Sequence, residues 1–197
     1  PLAFKLIEAV ASNTSLPVSV KTRLGWSDHS DLIEFAKGAE NAGANMICIH
    51  ARTYQNPYKV PANWPPVYDM KEAINIPVLG NGGIESYSQG ASLIKNLDGC
   101  LIGQATFGNP WIFDPTERVP SLDEKISIAL KHTEWLIEAK GELVGSREIR
   151  KHLLTYFKSF SGAKSVRNNL STVASYQEIK NILNQLRQVE PSLTTTA

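Results

Sequence analysis

The 197-residue chain has no apolar run approaching the ~20 residues that cross a bilayer, which excludes a membrane-spanning helix. It has only two cysteines, too few for a disulfide scaffold. Cys48 and Cys100 each sit inside a hydrophobic run and read as reduced, buried thiols of an intracellular protein. Neither sign of charge dominates: 20 Lys+Arg face 19 Asp+Glu for a net of +1, so no polycationic or acidic tail is present. No charged-then-apolar targeting segment opens the chain. Pro1 instead begins a helical pattern with Phe4, Ile7, Val10 and Ala11 in register, which reads as a piece of something longer. No repeat of solenoid period occurs. What remains is an ordinary globular composition, 42% hydrophobic and 20% charged, enough for one sizeable core and a small second one.

Up to about residue 114, β-rich runs alternate with helical patterns. The runs are LPVSVKTR (16–23), MICIHAR (46–52), IPVLGNGG (76–83) and GCLIGQ (99–104). Between the first two, Ser30 suits an N-cap, Leu32, Ile33, Phe35, Ala36 and Ala39 form an apolar stripe, and Gly43 ends the helix. Ser86 with Gln89 fits a capping box before Ala91, Leu93 and Ile94, and the Pro- and Tyr-rich stretch 51–67 reads as a long loop. Strands alternating with helices make a parallel sheet, either half of a doubly wound fold or half of a (β/α)₈ barrel.

Beyond Trp111 the pattern is helical only, and the join falls near residue 114. This divides the chain into 1–114 and 115–197. Gly108-Asn109-Pro110-Trp111 reads as a structural turn whose Trp packs between the domains. Ser121 and Glu124 cap a helix ended by Gly141, Ser146 starts another that runs to Gly162, a short piece covers 163–170, and Ser175 with Glu178 caps the last. The tail from Pro191 to Ala197 is Thr-rich and reads as frayed.

Ligands of parallel α/β folds bind at the carboxyl ends of the strands. The first strand ends with Lys21 and Arg23 on one face, two cations at one mouth. The second ends at His50 and Arg52, with His50 on the face of Met46 and Cys48. No second His, Cys or Asp lies at metal-ligand spacing, so no metal is expected. The third ends at Asn81-Gly82-Gly83, ahead of the helix capped by Ser86, where glycines let backbone N–H groups approach an anion. Gly103-Gln104 repeats that arrangement one unit later. In (β/α)₈ enzymes a phosphate commonly sits between the loops after strands seven and eight, which favours the barrel over the doubly wound sheet.

The ordered motifs VSVKTRLGW, CIHARTY, ANW, IPVLGNGGI and DGCLIGQATFGNPWIF resemble the tRNA-dihydrouridine synthases, and SREIRKHLLTYFKSFSGAKSVRNNL resembles their C-terminal domain. The resemblance covers essentially the whole chain. It implies the C-terminal half of a (β/α)₈ TIM barrel, strands five to eight, followed by a small helical domain. It implies NADPH as reductant of FMN, and uridine in tRNA reduced to 5,6-dihydrouridine in the cytoplasm. By resemblance, Lys21 contacts the flavin ring, His50 lines the same site, and Asn81, Gly82, Gly83, Gly103 and Gln104 hold the FMN phosphate. Arg23 and Arg52 lie at the mouth, where they meet flavin or tRNA.

Two positions depart from the family pattern: Gln104 replaces the usual Arg, and NGG replaces the commoner NGD. The family's general-acid Cys, in an Asn-x-Gly-Cys-Pro-like motif, is absent. That Cys is expected before residue 1, which leaves the chain a catalytically incomplete piece. The full-length protein is expected as a monomer, and the isolated piece is expected to self-associate through uncovered strand edges. Two further readings stand beside this one: another FMN barrel, for example one oxidising a dihydropyrimidine, and an RNA-binding module without catalysis.

Charge is uneven: residues 1–114 carry 8 Lys+Arg and 10 Asp+Glu, residues 115–197 carry 12 and 9. Arg147, Arg150, Lys151, Lys158, Lys164 and Arg167 face one acid, Glu148, within 147–167. At ~100° per residue Arg147, Lys151 and Lys158 share one helix face, opposite Ile149, Leu153, Tyr156, Phe157 and Phe160. Such a basic face suits a phosphate backbone, and Arg147, Arg150, Lys151 and Lys158 are the candidate tRNA contacts.

Overall fold

The structure is a computed structural model and describes residues 2–158, 160 and 162–189. Pro1 and the Pro191–Ala197 tail lie outside the described residues. The chain divides into two compact units, Pro1–Ala105 and Thr106–Ala197.

The first unit runs α1 (Leu2–Ala11), β1 (Ser19–Arg23), α2 (Leu32–Asn41), β2 (Met46–His50), α3 (Pro65–Glu72), β3 (Val78–Asn81), α4 (Tyr87–Ile94) and β4 (Gly99–Leu101). All strand pairs are parallel and the order is β1-β2-β3-β4. A doubly wound sheet needs a reversal of strand order, and none occurs among these strands. Alternation sets which face is covered. Ile47, Ile49 and Val78 are fully buried and share one core with Ala36, Ala39, Val67 and Met70 of the helices. The opposite face carries Lys21, Cys48 and Leu79.

β1 and β3 begin later than alternation suggested, just past Pro17 and Pro77, which have no N–H to give a ladder. β2 stops at His50 because the Arg52 N–H turns back to the His50 carbonyl at 2.7 Å. The loop expected over 51–67 ends earlier: Pro65 and Pro66 open α3, filling first-turn positions where no N–H is required. Ser30 does not cap α2. Its hydroxyl and amide N–H bond the Asp28 carboxylate at 2.6 and 3.0 Å, and α2 starts without a side-chain cap. In α1, Phe4 and Ile7 turn inward while Val10 is exposed. The Ser86 hydroxyl accepts the Gln89 N–H, but Gln89 accepts from Glu85, one residue ahead of the cap.

The second unit holds α5 (Leu122–Lys140), α6 (Glu142–Glu148), α7 (Arg150–Tyr156), α8 (Ala163–Leu170) and α9 (Tyr176–Val189). Ser121 and Glu124 form the full reciprocal capping box of α5. Ile126, Ile149, Leu153, Phe157, Leu170, Ile179 and Leu183 make its core, and Trp111 packs against it. Ser146 starts no helix: α6 is already running from Glu142, and Ser146 is buried within it. The backbone at Ile149 stays in the helical region, and Ile149 N–H to Gly145 O and Leu153 N–H to Ile149 O carry the ladder across the join. Helical geometry ends at Phe157, so Lys158 lies beyond α7. Gly162 precedes α8 as its left-handed N-cap rather than closing the previous helix. Among the described residues no helix is long and apolar enough to cross a membrane.

Candidate functional site

Parallel register brings the strand ends into rows. Arg23, His50, Asn81 and Leu101 are successive Cα partners across the sheet, and Lys21, Cys48, Leu79 and Gly99 form the row one period deeper. Residues aligned this way project from one face. Over that face lies a cleft of about 820 Å³, and Lys21, Arg23, His50, Arg52, Asn81, Gly82, Gly83, Gly103 and Gln104 all line it. Thr22, Tyr58, Ile84, Glu85 and Ala105 complete the wall.

His50 and Arg52 are 6% exposed each. Arg52 donates from Nε to the Val60 carbonyl at 2.6 Å and from Nη1 to His50 Nε2 at 2.9 Å. Guanidinium has no acceptor to offer. His50 Nε2 is therefore the acceptor, and the neutral ring carries its proton on Nδ1. Burial pushes the His50 pKa down to about 4, with Arg23, Arg52 and Lys21 adding to the effect. Arg52 thus sits inside the wall, bracing the loop after β2, rather than free at the mouth. Arg23 donates to the Thr53 carbonyl at 2.9 Å, and the Tyr58 ring lies 5.7 Å from Arg23 and 6.0 Å from Arg52.

The folded pKa of His50 lies below the ordinary 6.5, so its contribution to stability is complete above pH 6.5 and is lost as pH falls through about 4, below which both states are protonated. The loss is at most about 3 kcal/mol, less to the extent that solvent screens the ring. His132 and His152, also lowered by burial, act in the same direction. Imidazole NMR should show His50 titrating near pH 4, and a midpoint at or above 6 would refute its burial against Arg52.

Gly82 has φ +128° and a Cβ there would come within 2.9 Å of the His50 ring and 3.2 Å of Ala62. Added to Gly103, a Cβ would meet nothing within 4 Å, so that backbone faces open space. The Asn81 amide donates to the Leu101 carbonyl at 2.7 Å, tying β3 to the end of β4. Lys21, Arg23 and Arg52 oppose one carboxylate, Glu85, in the wall. Cys48 is buried mid-strand with its thiol pKa raised by burial, Lys21 opposing, and the Cys100 thiol is also raised by burial. Among the described residues no group of three or more His, Cys, Asp or Glu could hold a metal.

In the second unit Arg147, Lys151, Lys158 and Lys164 are exposed. Arg150 is not free for a ligand in the same way: its guanidinium donates to the Val173 and Thr172 carbonyls at 2.7 and 3.3 Å. Arg167 donates to the Phe157 carbonyl. Glu148 pairs with Lys140 at 2.6 Å.

Sequence reading missed Tyr58 and Glu85 as wall residues. The one signal for Tyr58 was the Tyr- and Pro-rich composition of the loop after β2. That loop is held closed at its base by Asn63 N–H to the Ala51 carbonyl, 2.7 Å.

The dihydrouridine synthase family model matches residues 1–191. A probable tRNA-dihydrouridine synthase 1 of Synechocystis sp. is 34% identical over 196 residues, covering 93% of this chain and 55% of that protein. A probable tRNA-dihydrouridine synthase of Mycobacterium leprae is 34% identical over 191 residues, covering 90% and 50%, and that of Rickettsia prowazekii is 33% identical over 167 residues, covering 79% and 51%. The chain spans about half the length of the curated relatives it matches.

Proposed function

This chain belongs to the dihydrouridine synthase family, and on that premise we propose that its first unit is strands five to eight of a (β/α)₈ barrel and its second a tRNA-contacting helical domain. The whole protein is then a cytoplasmic oxidoreductase that uses FMN and NADPH to reduce a uridine of tRNA to 5,6-dihydrouridine. The observation that carries this reading is the convergence of Lys21, Arg23, His50, Asn81, Gly82 and Gly103 on one cleft.

The wall suits FMN on its donor set. Three cations against one carboxylate leave a positive excess in the wall, and such a field attracts an anionic ligand. Gly82, Gly83 and Gly103 admit a phosphate close to the backbone, with Gln104 offering an amide beside them. Lys21, on the row beneath Arg23, is the residue assigned to the flavin ring, where a cation favours the reduced, anionic form. The bound flavin would supply the hydride that reaches C6 of the uracil. His50 stays neutral and so adds no further cation to the wall. Neither cysteine suits proton donation to C5. Cys48 is buried mid-strand, and the Cys100 Sγ packs by Gly90, 3.4 Å from where its Cβ would stand. In the proposed enzyme the general acid comes from outside these 197 residues.

Arg147 and Lys151 lie one turn apart on the exposed side of α6 and α7 and are the leading phosphate contacts. Replacing both by alanine should make the log–log salt dependence of tRNA binding about two units shallower. Filter binding from low to moderate salt measures this, and an unchanged slope would remove that face from the interface.

A further inference from the structure

We infer that the exposed Trp26–Tyr54 pair is a stacking platform for an unpaired RNA base adjacent to the base that enters the cleft, an inference that rests on the tRNA reading above. Trp26 is 64% and Tyr54 62% exposed, yet their rings stack at 4.2 Å with 12° between planes. Two large aromatics arranged this way in water present a ready π-face, and base–aromatic stacking is the sequence-tolerant means by which proteins hold unpaired nucleotides.

The platform is fixed before any ligand arrives. Leu24 N–H bonds Arg52 O, Tyr54 N–H bonds Gly25 O at 2.8 Å, and Gln55 N–H bonds Trp26 O at 3.0 Å, so the loops after β1 and β2 are laced together beyond the sheet. A Cβ on Gly25 would overlap the Asp28 carbonyl, which keeps the first loop tightly turned. Little ordering cost is left for binding.

Position links the platform to the cleft. Thr22 and Arg23 line both the cleft and the groove of about 250 Å³ that holds Trp26, and Arg23 is braced by the carbonyl of Thr53, next to Tyr54. A strand with one base in the cleft meets Arg23 at the boundary and the aromatic pair beyond it. The groove also holds Asp28 and Asp31, and hydrogen bonds from Ser30 and Ser27 hold the Asp28 carboxyl below the usual range. Those acids repel phosphate from the groove and leave an uncharged base as the fitting occupant, with Arg23 as the phosphate contact.

The test is fluorescence anisotropy of a labelled tRNA transcript with this chain across a salt series, using wild type, Trp26→Ala, Tyr54→Ala and Trp26→Phe. Either alanine variant should weaken binding about tenfold at every salt concentration with the slope unchanged, and Trp26→Phe should restore most of the affinity. Wild-type affinity in both alanine variants would overturn the platform while leaving the tRNA reading standing. No tRNA binding by wild type would overturn both. Loss of concentration-dependent self-association in Trp26→Ala with unchanged tRNA affinity would assign the pair to a second copy of the chain and overturn the inference.

Discussion

Replacing Trp64 by alanine lowers the unfolding free energy of the strand-bearing unit by about 3–5 kcal/mol. Trp64 is 7% exposed, precedes α3 as its N-cap and gives its carbonyl to the Val67 and Tyr68 amides. Its ring fills the space over Gly80, where a Cβ would collide with it, and the Tyr68 ring lies 6.3 Å away. Glycine beneath and a short strand alongside give the cavity little with which to collapse, so the cost belongs at the upper end. Against a typical domain stability of about 5–15 kcal/mol this is a large share. Urea unfolding measures it; a loss under about 1 kcal/mol would mean that the ring does not support β3.

Substituting valine for Gly82 acts on the site itself. Its φ of +128° suits glycine, and the new Cβ would press on the His50 ring and Ala62. A β-branched side chain there faces backbone strain of about 1–3 kcal/mol and crowding of similar size. Relief of that strain moves the loop out of the position in which its N–H groups would meet the phosphate, so FMN binding should weaken about a hundredfold. Isothermal titration reads the change. FMN affinity within about threefold of wild type would show that the Gly82 loop does not face the cofactor.

How much of this could be read from residues alone varied with the range of the forces involved. The parallel sheet followed from β-rich runs alternating with helical patterns, and within the strands the burial of Ile47, Ile49 and Val78 on one face is a local consequence of period two. Capping at Ser121 was legible for the same reason. Caps that depend on competing partners were not: Ser30 bonds Asp28 instead, and Gln89 and Glu178 reach the amide ahead of the cap. The helix from Glu142 was hidden because Ser146 resembled a start, whereas core packing of Ile149 and Leu153 carries the helix through it.

At the site, strand ends announced Lys21, His50 and the glycines, since topology alone brings carboxyl ends together. What no spacing could show was the use made of each polar group. Arg52 and Arg150 read as ligand contacts, yet their guanidinium donors reach backbone carbonyls, and that depends on where distant loops run. Tyr58 was legible only through the composition of its loop, because its place in the wall is set by the path of residues 51–64, not by any period in them.

The most direct measurement is an FMN titration of the isotopically labelled chain followed by backbone amide NMR. Saturable shifts are expected at Gly82, Gly83, Gly103 and Gln104 together with Lys21 of β1, absent in Gly82→Val. Saturation that perturbs other residues and leaves those amides unmoved, or no response at millimolar FMN, would contradict FMN binding in this cleft.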